Sequence, residues 1–178
     1  MEHIGVFLSS KEQVSDELKQ TIIEFGRWIG QERKTLVYGG SRCGMMEELA
    51  RAVKGNGGRV FGIVPQSIMD RDLASEMVDV EFRCADLTDR KAIMMRESDV
   101  FVALPGGIGT LDELFTVLAA HTFKMHSKPI ILYNIHDFWS PLLDMLSRIE
   151  QESMVSKETL DTLQVVQSLD ELENLLRD

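Results

Sequence analysis

The sequence predicts an α/β fold, a Rossmann-like doubly wound parallel sheet with helices on both faces. Three observations predict it. Short runs such as IGVFL (4–8), TLVY (35–38) and VFVAL (100–104) are uniformly apolar, as strands buried on both faces must be. Longer stretches between such runs carry apolar residues at helical spacing, as at Leu18, Ile22, Phe25 and Ile29. Glycine clusters follow two of the strands, where a chain of this class turns from strand into helix.

The elements follow in order. Ile4–Leu8 reads as a strand and Val14–Ile29 as an amphipathic helix. Thr35–Tyr38 is a strand that stops at Gly39-Gly40, and Met45–Lys54 a helix that stops at GNGG. Arg59–Val64 is a strand ended by Pro65, and residues 66–76 are polar and irregular. A strand over Val78–Phe82, a helix over Leu87–Glu97 and a strand over Val100–Leu104 come next. Thr110–Met125 is a long helix, Pro129–Tyr133 a strand and Phe138–Glu150 a helix. Leu163–Val166 makes a last short strand, and in the closing SLDELENLLRD Ser168 and Glu171 form a capping box. With no repeat, low-complexity segment or linker, residues 1–178 read as one domain.

Composition narrows the function classes. A chain of 178 residues can bury about 70% of its unfolded surface, enough for a real core. No apolar run approaches the ~18 residues of a membrane span, and MEHIGVFLSS lacks a basic leader region and a cleavage site, so a cytoplasmic protein is expected. The net charge of -10 argues against non-specific nucleic-acid binding but leaves room for a small anionic ligand. Cys43 and Cys84 lie in no CxxC pattern and read as reduced thiols. The four histidines form no HxxxH or HExxH pattern, so neither a metal nor another cofactor is expected.

Open parallel sheets bind ligands beyond the carboxyl ends of their strands, near the point where strand order reverses. That rule singles out LSSK after the first strand (with Ser9), GGSRCG after the second (with Gly40 and Ser41) and PGGIGT after the fifth. In PGGIGTLDE, Gly106 and Gly107 let the backbone approach a ligand, while Gly109 and Thr110 offer N–H groups and a hydroxyl at the positive end of a helix. The motif is neither GxGxxG nor GxxxxGK[ST]. One glycine needs no more than a tight turn to explain it. Three, with a second pair at 39–40, favour anion binding.

Glu113 admits two readings. With Thr110 as N-cap it completes a T-x-x-E capping box, worth about 0.5–2 kcal/mol for the cap residue, and pattern alone favours this. A phosphate at the same helix end would repel the carboxylate, so a cation would then have to compensate. Arg90 and Lys91 could supply it. They fall in the first turn of their helix, the wrong end for positive charge, although Asp86 and Asp89 partly offset them.

DRKAIMMRESDVFVALPGGIGTLDEL, with YGGSRCGMM upstream and VPQSIM between, resembles the Lonely Guy family of cytokinin-activating phosphoribohydrolases. Many of that family's members carry a legacy label of lysine decarboxylase. The similarity runs from GVFLSS to KPIILYN and weakens after about residue 150. The resemblance implies a Rossmann-like homodimer that hydrolyses the N-glycosidic bond of a nucleoside 5′-monophosphate, AMP or an N6-modified AMP, to free base and ribose 5-phosphate. It implies catalytic roles for Arg90 and Glu113. Phosphate and ribose contacts fall to Lys91 and the turn Gly106, Gly107, Ile108, Gly109, Thr110, Leu111 and Asp112. It also implies an acidic ligand contact at Asp72, where plant members have glutamate. Two stretches depart from the family, AAHTFKMH (119–126) with His121 and Phe123, and SMVS (153–156). Both bear on base specificity more than on the reaction.

The chemistry is compatible with these residues. Breaking an N-glycosidic bond places positive charge on the ribose, which a carboxylate near C1′ stabilises, or the carboxylate activates a water. Glu113 lies one helical turn, about 5 Å, in from the glycine turn, and Asp112 points elsewhere. Arg90, a guanidinium that stays protonated, is no proton donor; it is expected to clamp phosphate or ribose and to keep Glu113 ionised. No pattern supports a pyridoxal Schiff base, so lysine decarboxylation is rejected. The alternative class is a non-catalytic nucleotide or cofactor carrier on the same fold, with Glu113 a helix cap. Thr110–Met125 is apolar beyond one stripe (Leu111, Leu114, Phe115, Val117, Leu118, Phe123, Met125), as packing within the monomer or against a second subunit would require.

Overall fold

A computed structural model describes residues 1–177. Seven strands form one sheet in the order β4-β3-β2-β1-β5-β6-β7, and every pairing is parallel. In chain order the elements are β1 (His3–Phe7), α1 (Asp16–Gln31), β2 (Thr35–Tyr38), α2 (Gly44–Gly55), β3 (Arg59–Pro65), α3 (Gln66–Met69), β4 (Val80–Cys84) and α4 (Leu87–Glu97). They continue as β5 (Val100–Ala103), α5 (Ile108–Thr122), β6 (Ile130–Tyr133), α6 (Ser140–Gln151), α7 (Lys157–Asp161), β7 (Leu163–Val166) and α8 (Leu169–Arg177). The sheet grows outward from β1 to β4, then resumes on the other side of β1 with β5. Strand order therefore reverses between β1 and β5, where Ile4 and Phe7 pair with Val100 and Ala103.

Alternating side chains of the central strands feed two cores. Ile4 and Val6 of β1, with Val100 and Val102 of β5, meet α1, α2 and α8; Phe7 and Phe101 point the other way, toward α4, α5 and α6. Both faces of these strands are thus dry, the physical reason for their unbroken apolarity. The edge strand β4 alternates instead, with Val80 and Phe82 half-buried and Glu81 and Arg83 exposed. Its start lies two residues beyond the expected Val78, because Asp79 occupies the ladder. The Asp79 N–H donates to the Val60 carbonyl and its carboxylate accepts from the Val60 N–H, both at 2.8 Å.

Other boundaries move for local reasons. The first turn of α5 starts at Ile108, with Gly107 rather than Thr110 as N-cap. The helix ends at Thr122 instead of Met125, since Lys124 has left-handed backbone (φ 57°). The region 66–76 contains one helical turn, α3, and a bridge from Ala74 to Ser41. α6 begins at Ser140 because His136 and Asp137 before it are left-handed (φ 50° and 58°). At α8 the Ser168 hydroxyl accepts from Glu171 N–H at 3.3 Å, while the Glu171 carboxylate reaches Gln167 N–H, one residue before the expected partner. Among the described residues no helix is long and apolar enough to cross a membrane, and no group of three or more His, Cys, Asp or Glu could hold a metal ion.

α1 and α2 meet across Gly26. A side chain there would place its Cβ 2.8 Å from the Ala52 Cβ and 3.0 Å from the Leu49 carbonyl. Gly26→Val is expected to destabilise the fold by about 1–3 kcal/mol in urea unfolding, the usual cost of overpacking. An unchanged midpoint would show that the two helices can separate freely.

Candidate active site

The reversal of strand order opens a cavity of about 270 Å³ at the carboxyl ends of β1 and β5. The turn after β1 (Ser9 to Lys11) forms part of its wall, with Gly39 beyond β2, Arg90 of α4, and Gly107 to Thr110 and Glu113 of α5. The cavity is bounded by segments that follow four strands, β1, β2, β4 and β5, which is where the sheet topology places a ligand.

At the floor, Leu111 N–H donates to the Gly107 carbonyl at 3.0 Å, the first hydrogen bond of α5. Ile108, Gly109 and Thr110 therefore have N–H groups with no intrahelical acceptor, at the positive end of the helix dipole. The glycines act through space. None of Gly106, Gly107 and Gly109 has left-handed backbone. A side chain at Gly106 would overlap that of Thr110, whereas Gly107 and Gly109 face open space.

With the N-cap at Gly107, Glu113 is the sixth residue of α5, a full turn past any capping position, and Gly107 has no side chain to cap with. The capping-box reading of Glu113 is therefore overturned. Its Oε1 lies 3.5 Å from Nη2 of Arg90, and the two side chains are only 12% and 17% exposed. Burial pushes the Glu113 carboxyl up to about 7; the charge of Asp112 adds to the rise, while Arg90 and Lys91 oppose it. Arg90 favours the ionised carboxylate, as expected, but desolvation outweighs the guanidinium, so the expected full ionisation is not reached. Arg90 fits only because residue 39 is glycine, since any Cβ there would overlap the guanidinium. Its Nε is buried with no hydrogen-bond partner.

The profile of a family described as "Possible lysine decarboxylase" matches residues 46–176. A relative from Arabidopsis thaliana named "Cytokinin riboside 5'-monophosphate phosphoribohydrolase" is 34% identical over 98% of this chain and 82% of its own length. The chain belongs to the Lonely Guy family. A relative from Oryza sativa subsp. japonica, named "Probable cytokinin riboside 5'-monophosphate phosphoribohydrolase", is 35% identical over 86% of this chain and 61% of its own length. The chain thus spans about three fifths of the length of that relative and of others similar to it. The solved molybdenum cofactor binding protein of Rippkaea orientalis superposes with a TM-score of 0.73 at 24% identity, over 99% of this chain and 95% of its own, and shares its fold.

The residues singled out from the sequence, by topology and by the Lonely Guy resemblance, divide into two groups. Ser9, Arg90, Gly107, Ile108, Gly109, Thr110 and Glu113 line the cavity together. Lys91 does not; its ammonium donates to both oxygens of Asp112, at 2.7 and 2.8 Å, beside the cavity. Asp72 is exposed, paired with Arg42 at 3.3 Å. Gly40 and Ser41 hold the 66–76 loop instead, through Ser75 N–H to the Gly40 carbonyl and the bridge from Ser41 to Ala74. Gly106 packs on Thr110, Leu111 packs against the core beneath α5, and His121 and Phe123 lie outside the cavity wall. Gly39, of the glycine pair the sequence pointed to, lines the cavity, and so do Lys11 and Met46, whose side chains no pattern singled out. Lys11 belongs to the LSSK turn, so topology pointed to its segment; nothing in the pattern marked the side chain.

The pKa of Glu113 has a consequence for stability. A carboxyl raised in the folded state stabilises it fully below the unfolded value, near 4.5, and that contribution is lost as pH rises through about 7. Relative to the natural chain, Glu113→Gln should gain stability between pH 4.5 and 8, by about 1–3 kcal/mol in urea unfolding. A pH-independent difference would contradict the buried carboxyl.

Proposed function

We propose that the chain hydrolyses the N-glycosidic bond of a nucleoside 5′-monophosphate, AMP or an N6-modified AMP, releasing the base and ribose 5-phosphate. The observation that carries this reading is a buried carboxyl beside an arginine, one helical turn from unpaired N–H groups, in one cavity. The 5′-phosphate seats on the N–H groups of Ile108, Gly109 and Thr110, as anions do at helix N-termini. The ribose then lies along α5 with C1′ near Glu113.

Ionised Glu113 stabilises the positive charge that develops on the ribose and takes a proton from the attacking water. The water oxygen bonds to C1′, the C1′–N bond breaks, and the base leaves with its electron pair and takes a proton from solvent. A pKa near 7 suits this work, since about half of the base is ionised at neutral pH and it is basic enough to accept a proton. Arg90 orients Glu113 and opposes its neutralisation.

Incubation with AMP should release adenine, with kcat/KM rising with pH through about 7 and then levelling. Glu113→Gln should lower kcat by about 100-fold or more while retaining nucleotide binding. AMP binding without adenine release in the natural chain would instead favour a carrier.

We also propose that the protein is a homodimer. Leu114, Val117 and Leu118 of α5 pack into the core, while Ile108, Phe123 and Met125 at its ends are 82%, 79% and 74% exposed. Apolar side chains so exposed at both ends of one helix suit a subunit interface. Light scattering after size exclusion should give twice the 20.2 kDa chain mass. A mass of one chain would refute the dimer.

A further inference from the structure

We infer that Lys11 is the cation that receives the 5′-phosphate, in the role the family resemblance gives to Lys91. This inference rests on the nucleotide reading above. A phosphate monoester carries about −1.5 to −2 charges at pH 7, while a helix end offers only about half a positive charge. Placed on Ile108 to Thr110, it also lies one turn from Glu113, whose carboxylate repels it. The site therefore needs a cation that is free to turn toward the phosphate.

Two of the three nearby cations are engaged. Both oxygens of Asp112 hold the Lys91 ammonium outside the cavity wall. Arg90 faces Glu113 at 3.5 Å. Lys11 lines the cavity with Ile108, Gly109 and Thr110, and among the described residues no carboxylate lies within ion-pair distance of it.

The backbone beneath Lys11 is fixed. Ser9 N–H donates to the Pro105 carbonyl at 3.3 Å, tying this turn to the glycine turn that holds the phosphate. Lys11 N–H donates to the Ser9 hydroxyl at 3.1 Å. Gly44 has left-handed backbone (φ 52°), and a side chain there would overlap the carbonyls of Ser10 and Lys11, so the start of α2 closes against this turn. A held backbone with a free four-carbon stem suits a lysine that closes on an anion as it arrives.

The test uses the full chain with Lys11→Met, Lys11→Arg and Lys91→Met, measuring ribose 5-phosphate affinity by calorimetry and AMP hydrolysis by kcat and KM. Loss of a charge-assisted contact predicts ribose 5-phosphate binding about 10- to 100-fold weaker in Lys11→Met, with KM for AMP raised in proportion. Its kcat and melting temperature should stay close to natural, and Lys11→Arg should restore most of the affinity. Unchanged affinity in Lys11→Met overturns the inference, as does a loss confined to Lys91→Met. A collapse of kcat and melting temperature together would make Lys11 a structural residue and overturn it too. If the natural chain binds AMP without hydrolysing it, the hydrolase reading fails and the affinity measurements still decide the role of Lys11. If it binds neither AMP nor ribose 5-phosphate, both fail.

Discussion

The Glu113 carboxyl stands beside Arg90 in a place where burial holds its pKa near 7, and much of the local structure serves to keep both groups there. A half-neutral carboxyl against a buried guanidinium whose Nε has no partner is an expensive arrangement in a folded chain. It persists because three elements meet at one point. α4 brings Arg90, α5 brings Glu113, and the end of β2 supplies Gly39, whose missing side chain leaves room for the guanidinium. Ile93 and Met94 of α4 and Leu114, Val117 and Leu118 of α5 are buried in the same core on one face of the sheet, which holds the two helices together.

The same arrangement separates the charges of the site into tasks. The Lys91–Asp112 pair is self-contained at the rim and changes the field at Glu113 in both directions, the lysine lowering its pKa and the aspartate raising it. The helix end below is left without a side-chain cap, so its N–H groups remain available. The glycines of the turn provide room for Thr110 and for whatever occupies the cavity. A sheet reversed between β1 and β5 is what brings these parts to a common rim.

Most of the fold could be read from the sequence, because two-sided burial leaves an unmistakable apolar signature in β1, β2, β5 and β6. The edge strand β4 starts two residues after the point its apolar pattern suggests, since alternation at an edge is weak and the Asp79 side chain takes a ladder position that no pattern reveals. The same physics governs the site. Arg90 and Glu113 stood out by spacing and family likeness, yet T-x-x-E made Glu113 look like a cap. Only the position of Gly107, extended at φ −99° and ψ −152°, shows that α5 starts early enough to carry Glu113 past the capping positions. The Gly39-Gly40 pair was visible, but that Gly39 makes room for Arg90 is a matter of packing, and the reach of Lys11 leaves no trace in residue spacing.

The most direct test of this account is the titration of Glu113 itself. Carbon-13 NMR of the side-chain carboxyl, assigned by its absence in Glu113→Gln, should show a midpoint near 7 in the ligand-free chain. The midpoint should move higher in Arg90→Met, because the guanidinium is the largest influence opposing the rise. A carboxyl that titrates at or below the ordinary value of 4.5, indifferent to Arg90, would contradict the buried pair on which the site is built.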